Sequence, residues 1–125
     1  MSNEIKPVCV IQGPVASRSG YGDHTFSICD ALINSNKFDV KIIPMRWGMC
    51  PNTMLDDETA PMVKEIKSRI INQLSAQPEL FIQVSIPNEF KPIGKYNIGV
   101  TAGIESTIPK AEWIEGMNRM NLNVV

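Results

Sequence analysis

The stretch VCVIQGPVASRSGYGDHTFSICDAL, residues Val8–Leu32, decides the fold of this chain. It opens with a short run rich in β-branched residues, closed by Gly13 and Pro14, which predicts a buried strand. From Gly22 to about Asn34, apolar residues recur at steps of three and four, which predicts an amphipathic helix. A loop rich in glycine and serine connects the two, so the stretch has the form of a strand–loop–helix unit.

The rest of the chain continues this alternation in the order β-α-β-α-β-β-α-β. Beyond the first unit, we predict helices over residues 60–74 and 109–120 and strands over residues 39–45, 79–85, 96–103 and 122–125. The strands are apolar rather than strictly alternating, which is typical of a mostly parallel sheet covered on both faces. The sequence therefore predicts one α/β domain over residues 1–125, with a Rossmann-like three-layer α/β/α arrangement.

The charge and the termini of the chain disfavour several classes of partner. Twelve basic side chains against thirteen acidic ones leave a formal net charge of -1, and no run of Lys or Arg occurs. Binding to nucleic acid through electrostatics is therefore not expected. The polar N-terminus does not resemble a signal peptide, and no apolar run approaches the ~18 residues of a membrane span. We expect a cytoplasmic protein without a membrane span.

The cysteine content disfavours a metal site. Cys9, Cys29 and Cys50 are odd in number and widely spaced, without a CxxC pair or a Cys/His cluster. Zinc is therefore not expected, and no metal ligands are predicted. Cys9 and Cys29 fall on a predicted strand and a predicted helix, where cysteine acts as a small apolar residue. This usage fits a reducing compartment.

Four segments follow predicted strands and should converge on one crevice, because ligands of doubly wound sheets bind beyond the carboxyl ends of the strands. In the first segment, SGYGDHT, Gly20 and Gly22 allow a ligand to approach the backbone, and the helix N-terminus favours an anion. The segment does not match GxGxxG. No acidic residue follows the second strand, where an NAD site would need one and where this chain has Arg46. Two interpretations of these glycines remain open: a simple turn, or a contact to phosphate or sugar.

Two further side-chain groups are candidates near this crevice. His24, in the predicted first turn of the helix, should be neutral and could accept a proton, with capping or packing as the alternative. After the second strand, Arg46 could bind a phosphate or carboxylate and Trp47 could stack on a ring. A solvated cation and a cover of the core are the alternatives for these two residues.

Acidic and amide side chains follow the third and fourth predicted strands. Asn88 and Glu89 lie in SIPNEF, and Glu105 lies in TAGIES. Two carboxylates at one crevice could hold sugar hydroxyls or serve as general acid and base. The alternative for each is a solvated acid in a loop.

Three blocks of the sequence carry a family resemblance. GPVASRSGYGDHTFSICDAL, FIQVSIPNEFKPIGKYNIGVTAGIEST and WIEGMNRMNLNVV resemble the N-terminal half of GT-B glycosyltransferases. The similarity is greatest to retaining enzymes with a GYG first loop, including versions carried by bacteriophages. It extends from about Val8 to Val125, and the block containing IPNEF and IGVTAGIE is more specific than SGYG.

The resemblance implies an enzyme that transfers a sugar from a nucleotide sugar to an acceptor, without a metal, in a cleft between two Rossmann-like domains. The nucleotide sugar is then a co-substrate, and no other cofactor is implied. The resemblance and the positions of residues after the predicted strands together give three groups of candidate site residues. They are catalytic Glu105 and His24, donor-side Gly20, Tyr21 and Gly22 near the diphosphate, and acceptor-side Arg46, Trp47, Asn88 and Glu89.

In this family the C-terminal domain binds the nucleotide and carries a Glu-x7-Glu element, which this sequence lacks. The sequence also stops in its fifth predicted strand, so we interpret it as a truncated open reading frame, a split gene product or a domain excerpt, with little turnover alone. One alternative is a non-catalytic module that binds a sugar, a nucleotide or a protein, and that associates with itself or with a complementing domain through an exposed apolar face. The other is an NADP-type oxidoreductase in which Arg46 contacts the phosphate.

Overall fold

The computed structural model describes residues 6–15, 20–44, 60–74, 76–85, 90–101 and 111–124. The elements in chain order are β1 (Val8–Gly13), α1 (Gly20–Ser35), β2 (Asp39–Pro44), α2 (Pro61–Ser68), β3 (Leu80–Val84), β4 (Tyr96–Val100), α3 (Ala111–Asn118) and β5 (Leu122–Val124). The strands form one sheet in the order β2-β1-β3-β4-β5, and each neighbouring pair is parallel. The predicted order of elements and the predicted parallel sheet are confirmed.

Both faces of the sheet are covered, which gives three layers. On the face that we call the α1 face, side chains from the strands pack with α1 and α2 in one cluster that includes Cys9, Ile42, Cys29 and Ile66. On the opposite face, the α3 face, Phe81 and neighbouring residues pack with Phe90, Met117 and Met120. Alternate residues of β1, β2 and β3 belong to the two clusters, so these strands are apolar on both sides, as their sequences predict.

The second helix is shorter than predicted. The four-residue spacing of Ile66, Ile70 and Leu74 predicts a helix to residue 74, but α2 ends at Ser68. Ile70 instead forms a parallel bridge with Ile42, and Leu74 packs on the α3 face. The Ile42 N–H donates to the Arg69 carbonyl (2.9 Å), and the Ile71 N–H donates to the Ile42 carbonyl (2.8 Å). Pairing with the open edge of β2 therefore replaces the last helical turns.

The bridge at Ile70 adds one position to the strand order of the sheet. Ile70 lies outside β2 in the sheet and comes third along the chain, between β2 and β3. When Ile70 is counted as a minimal strand, the spatial order becomes 3-2-1-4-5-6, the order of dinucleotide-binding doubly wound folds. α1 and α2 also pack in one cluster on one face, as two successive crossovers of the same hand require.

The connection from β3 to β4 is organised by buried contacts on the α3 face. Gln83 is buried, and its Oε1 accepts a hydrogen bond from the Lys91 N–H (3.0 Å). The Phe90 ring lies on Gly99, where a Cβ would come within 2.4 Å of the ring. These contacts fix the segment that precedes β4, and so they help to place Thr101, the residue that follows it.

Candidate functional site

The chain reverses its direction of travel across the sheet at β1. It moves from β1 to β2 and Ile70 on one side, and it then returns to β3 on the other side. α1, which follows β1, packs on one face of the sheet, whereas Phe90, which comes between β3 and β4, packs on the other. This arrangement predicts a crevice at the carboxyl ends of β1 and β3. In doubly wound sheets this switch point is where ligands bind.

At the end of β1, the chain passes into the first loop through a fully packed turn. Gly13, Pro14 and Val15 are all buried, and the Val15 N–H donates to the Gly13 carbonyl (2.8 Å). A Cβ on Gly13 would lie 2.7 Å from Thr25 Oγ1 and 3.1 Å from the Val84 Cβ. Glycine is therefore required at this position for α1 to lie directly against the ends of β1 and β3.

Three residues form a connected set at the carboxyl edge, which we call the hydroxyl chain: Thr25, Tyr21 and Thr101. The Thr25 hydroxyl donates to the Tyr21 carbonyl (2.7 Å). The Tyr21 Oη and the Thr101 Oγ1 are 3.0 Å apart and share a hydrogen bond. Thr25 and Thr101 are almost completely buried, whereas Tyr21 is partly exposed. The hydroxyl chain therefore connects the first turn of α1 to the end of β4.

The GYG element begins α1, the helix that follows β1. Gly20 is the first residue of α1, Tyr21 belongs to the hydroxyl chain, and Gly22 is buried. The helix begins two residues earlier than predicted, so both glycines lie in its first turn. Helical residues have negative φ, so what these glycines contribute is the absence of a side chain at the helix N-terminus.

His24 lies slightly further along α1 than the sequence suggests. It is the fifth residue of the helix, and its side chain is exposed. The helix dipole acts mainly within the first turn, which here carries Asp23 as its acidic residue. The effect of the dipole therefore applies to Asp23 more than to His24, and the role of His24 stays a prediction.

The other candidate residues lie outside the described residues. These are Arg46, Trp47, Asn88, Glu89 and Glu105. Each follows a strand of the sheet in sequence, after β2, β3 or β4. Their roles stay predictions.

Sequence reasoning missed Gly13, Thr25 and Thr101 as residues that shape the site. A signal was present for the two threonines. Thr101 directly follows the apolar end of β4, where a hydroxyl marks the passage from sheet to crevice. Thr25 precedes Cys29 by four residues and so falls on the buried face of α1.

The buried cysteines are inert components of the core. Burial raises the pKa of Cys9 and Cys29 to about 12, and the charge of a Cys9 thiolate would add to the effect at Cys29. Both thiols are therefore protonated near neutral pH and are poor nucleophiles or metal ligands. Within the described ranges, no three His, Cys, Asp or Glu side chains come together as a metal site would require.

The described elements define a Rossmann-like α/β domain whose strand order changes direction at β1. Among the residues described, no helix has the length and apolar character needed to cross a membrane. No family model matches the chain, and no match was found among curated proteins or solved structures.

Proposed function

We propose that this chain is the N-terminal, acceptor-side domain of a GT-B-type glycosyltransferase. The enzyme would transfer a sugar from a nucleotide-sugar donor to an acceptor in the crevice beyond β1 and β3. The blocks of sequence similarity motivate the class of reaction, and the geometry of the switch point supports the place where it would occur.

The observation that carries the proposal is the position of Gly20, Tyr21 and Gly22. They form the first turn of α1 at the switch point, and Gly13 lets this helix end pack tightly on the sheet. The positive dipole end of a helix favours a diphosphate, and glycine at positions 20 and 22 leaves space for it beside the backbone. That contact is the one expected between a GYG loop and a nucleotide sugar.

The remaining roles are assigned by sequence position and form the rest of the proposal. Arg46, Trp47, Asn88 and Glu89 would face the acceptor, and Glu105 with His24 would contact the reacting groups. A second domain would hold the nucleotide and stabilise the leaving diphosphate. We therefore expect weak donor binding and no multiple turnover from the 125-residue chain alone.

A calorimetric panel of uridine, guanosine and adenosine diphosphate sugars, combined with an assay of nucleoside diphosphate release, tests the proposal. We expect weak, saturable binding of at least one donor. Gly20→Val should abolish binding because its branched side chain fills the approach to the helix end. The control, Ala31→Val, places the same side chain at an exposed position of the same helix. Binding of no donor, or equal binding by both variants, would contradict the proposal.

One observation favours a second candidate function, dinucleotide binding. With Ile70 counted, the strand order is that of dinucleotide-binding folds. The first loop lacks GxGxxG, and an NADP site would rely on Arg46 for the 2′-phosphate. Adding NADPH to the same calorimetric panel separates the two functions, because binding of NADPH in preference to every nucleotide sugar would favour the oxidoreductase class.

A further inference from the structure

The hydrogen bond between Tyr21 and Thr101 spans the carboxyl edge of the sheet. Tyr21 belongs to α1, which follows β1, and Thr101 follows β4. In the sheet, β3 lies between β1 and β4, so the bond passes over the end of β3. Two strand spacings amount to about 10 Å, a separation that a tyrosine side chain can bridge and a shorter hydroxyl side chain cannot.

Both ends of this bond are anchored in the fold. On the α1 side, the Thr25 hydroxyl holds the Tyr21 carbonyl (2.7 Å), and Thr25 itself packs against the Gly13 backbone. On the β4 side, Thr101 is 1% exposed and its N–H donates to the Val124 carbonyl (2.9 Å). A displacement at the N-terminus of α1 is therefore transmitted to the ends of β4 and β5.

We propose that Tyr21 is a positioning residue whose hydroxyl, bonded to Thr101, couples the N-terminal end of α1 to the carboxyl end of β4. The helix end carries Gly20 and Gly22, and Thr101 precedes Glu105 in the sequence. A ligand that contacts the helix end thereby also affects Thr101. The ligand's chemistry rests on the proposed function, whereas the coupling between the helix end and β4 does not.

Amide hydrogen exchange of the unliganded chain tests the coupling. Tyr21→Phe and Thr101→Val each remove one partner of the bond with almost no change in shape. A net hydrogen bond corresponds to about a fivefold change in a local opening equilibrium. We expect exchange about fivefold faster both in the first turns of α1 and at the Thr101 amide in either variant, and no further increase in the double variant.

Two further variants separate positioning from general destabilisation. Thr101→Ser keeps the hydroxyl and should restore exchange in both segments to the wild-type rate. Tyr96→Phe removes an exposed hydroxyl at the other end of β4 and should leave both segments unchanged. Exchange that changes only in the substituted element, effects that add in the double variant, or a Thr101→Ser variant that behaves like Thr101→Val would overturn the coupling.

A titration with inorganic pyrophosphate, followed by amide chemical shifts, tests the consequence for a ligand. In the wild type we expect shifts at the first turn of α1 and at Thr101. In Tyr21→Phe we expect the shift at α1 to persist and the shift at Thr101 to disappear. A Thr101 shift that survives in Tyr21→Phe would overturn the coupling. The lack of any pyrophosphate-induced shift would count against the proposed diphosphate site, while the exchange experiment would still decide the coupling.

Discussion

At the residue scale, Gly13 is a position at which the sheet and the first helix are in close contact. A Cβ there would lie 2.7 Å and 2.9 Å from Oγ1 and Cγ2 of Thr25. Overpacking of this kind costs about 1–3 kcal/mol. We therefore expect Gly13→Ala to lower the free energy of unfolding by that amount in urea denaturation, and Ser27→Ala, an exposed change on α1, to have little effect.

A second substitution shows whether this contact is the cause. Thr25→Ala removes the two atoms that the methyl group of Gly13→Ala would meet first and leaves the Val84 Cβ at 3.1 Å, although it also removes the hydrogen bond to the Tyr21 carbonyl. The double variant should lose less stability than the sum of the two single variants, because the two shortest contacts no longer exist. Strictly additive losses would mean that the Gly13 contact does not limit the packing of α1.

The buried cysteines predict how stability depends on pH. Burial raises the pKa of Cys9 and Cys29 to about 12 from an ordinary value of 9.0. Above about pH 9 the unfolded thiols ionise while the folded ones stay protonated, so stability falls as the pH rises from about 9 to about 12. The expected slope is about 1.4 kcal/mol per pH unit for each thiol.

Urea denaturation across this pH range measures the slope, and Cys9→Ala or Cys29→Ala should each reduce it. The comparison uses the slope rather than the absolute stability, because either variant also leaves a small cavity in the core. Maleimide labelling with peptide mapping should leave both thiols unmodified at pH 8 until urea unfolds the chain. An unchanged slope in both variants would show that the two buried thiols do not cause the loss of stability at high pH.

At this scale the sequence predicts part of the site. The pattern of strand, loop and helix predicts a helix that begins at Gly22, whereas α1 begins two residues earlier, at Gly20. The bond from Tyr21 to Thr101 joins residues 80 positions apart, and it depends on β3 lying between β1 and β4. Periodicity along the chain carries no information on the order of strands in a sheet, so this partner could not be predicted.

At the element scale, the hydrogen bonds at the open edge of β2 depend on Arg69. Its Nε and Nη2 contact the Glu65 carboxylate (2.8 and 2.7 Å), and its Nη1 donates to the Val40 carbonyl (3.2 Å). The ion pair is partly exposed, so screening by solvent reduces its contribution. We expect Arg69→Ala to destabilise the chain by about 1 kcal/mol, mainly through the carbonyl left without its donor.

Hydrogen exchange localises the effect of this substitution. The Ile71 amide, which donates to the Ile42 carbonyl, should exchange faster in Arg69→Ala than in the wild type. Lys64→Ala, which removes an exposed cation from α2, the helix that ends just before Arg69, should leave that amide unchanged. Equal exchange at Ile71 in both variants would show that the bridge does not need Arg69.

The elements themselves follow closely from the sequence, except for α2. Apolar runs ended by Gly and Pro identify the strands because each strand is buried on both faces. Ile70 and Leu74 continue the helical spacing of Ile66, so local reasoning extends α2 to residue 74. The competing partner, the free edge of β2, is distant in sequence, and its hydrogen bonds favour a β bridge at Ile70.

At the scale of the whole molecule, an apolar patch on the α1 face lies where the sheet ends. Tyr96, Leu122 and Val124 are exposed (46%, 47% and 42%), and Leu122 is in register with Ile98. Exposed apolar patches at a sheet edge favour association. We expect sedimentation to show concentration-dependent self-association that Leu122→Lys abolishes and Asn118→Lys, a matched charge on α3, does not. A monomer at every concentration would contradict this expectation.

We expect ligands to bind at the switch point, beyond β1 and β3, with the helix end of α1 facing a diphosphate. The most direct measurement is a map of amide chemical shifts during titration of the intact chain with a nucleotide sugar. We predict saturable shifts centred on Val15, Gly22, Ser85 and Thr101, at the carboxyl edge of the sheet. Shifts centred instead on the opposite edge, around Lys6, Gln77 and Glu79, or no shifts with any donor, would contradict it.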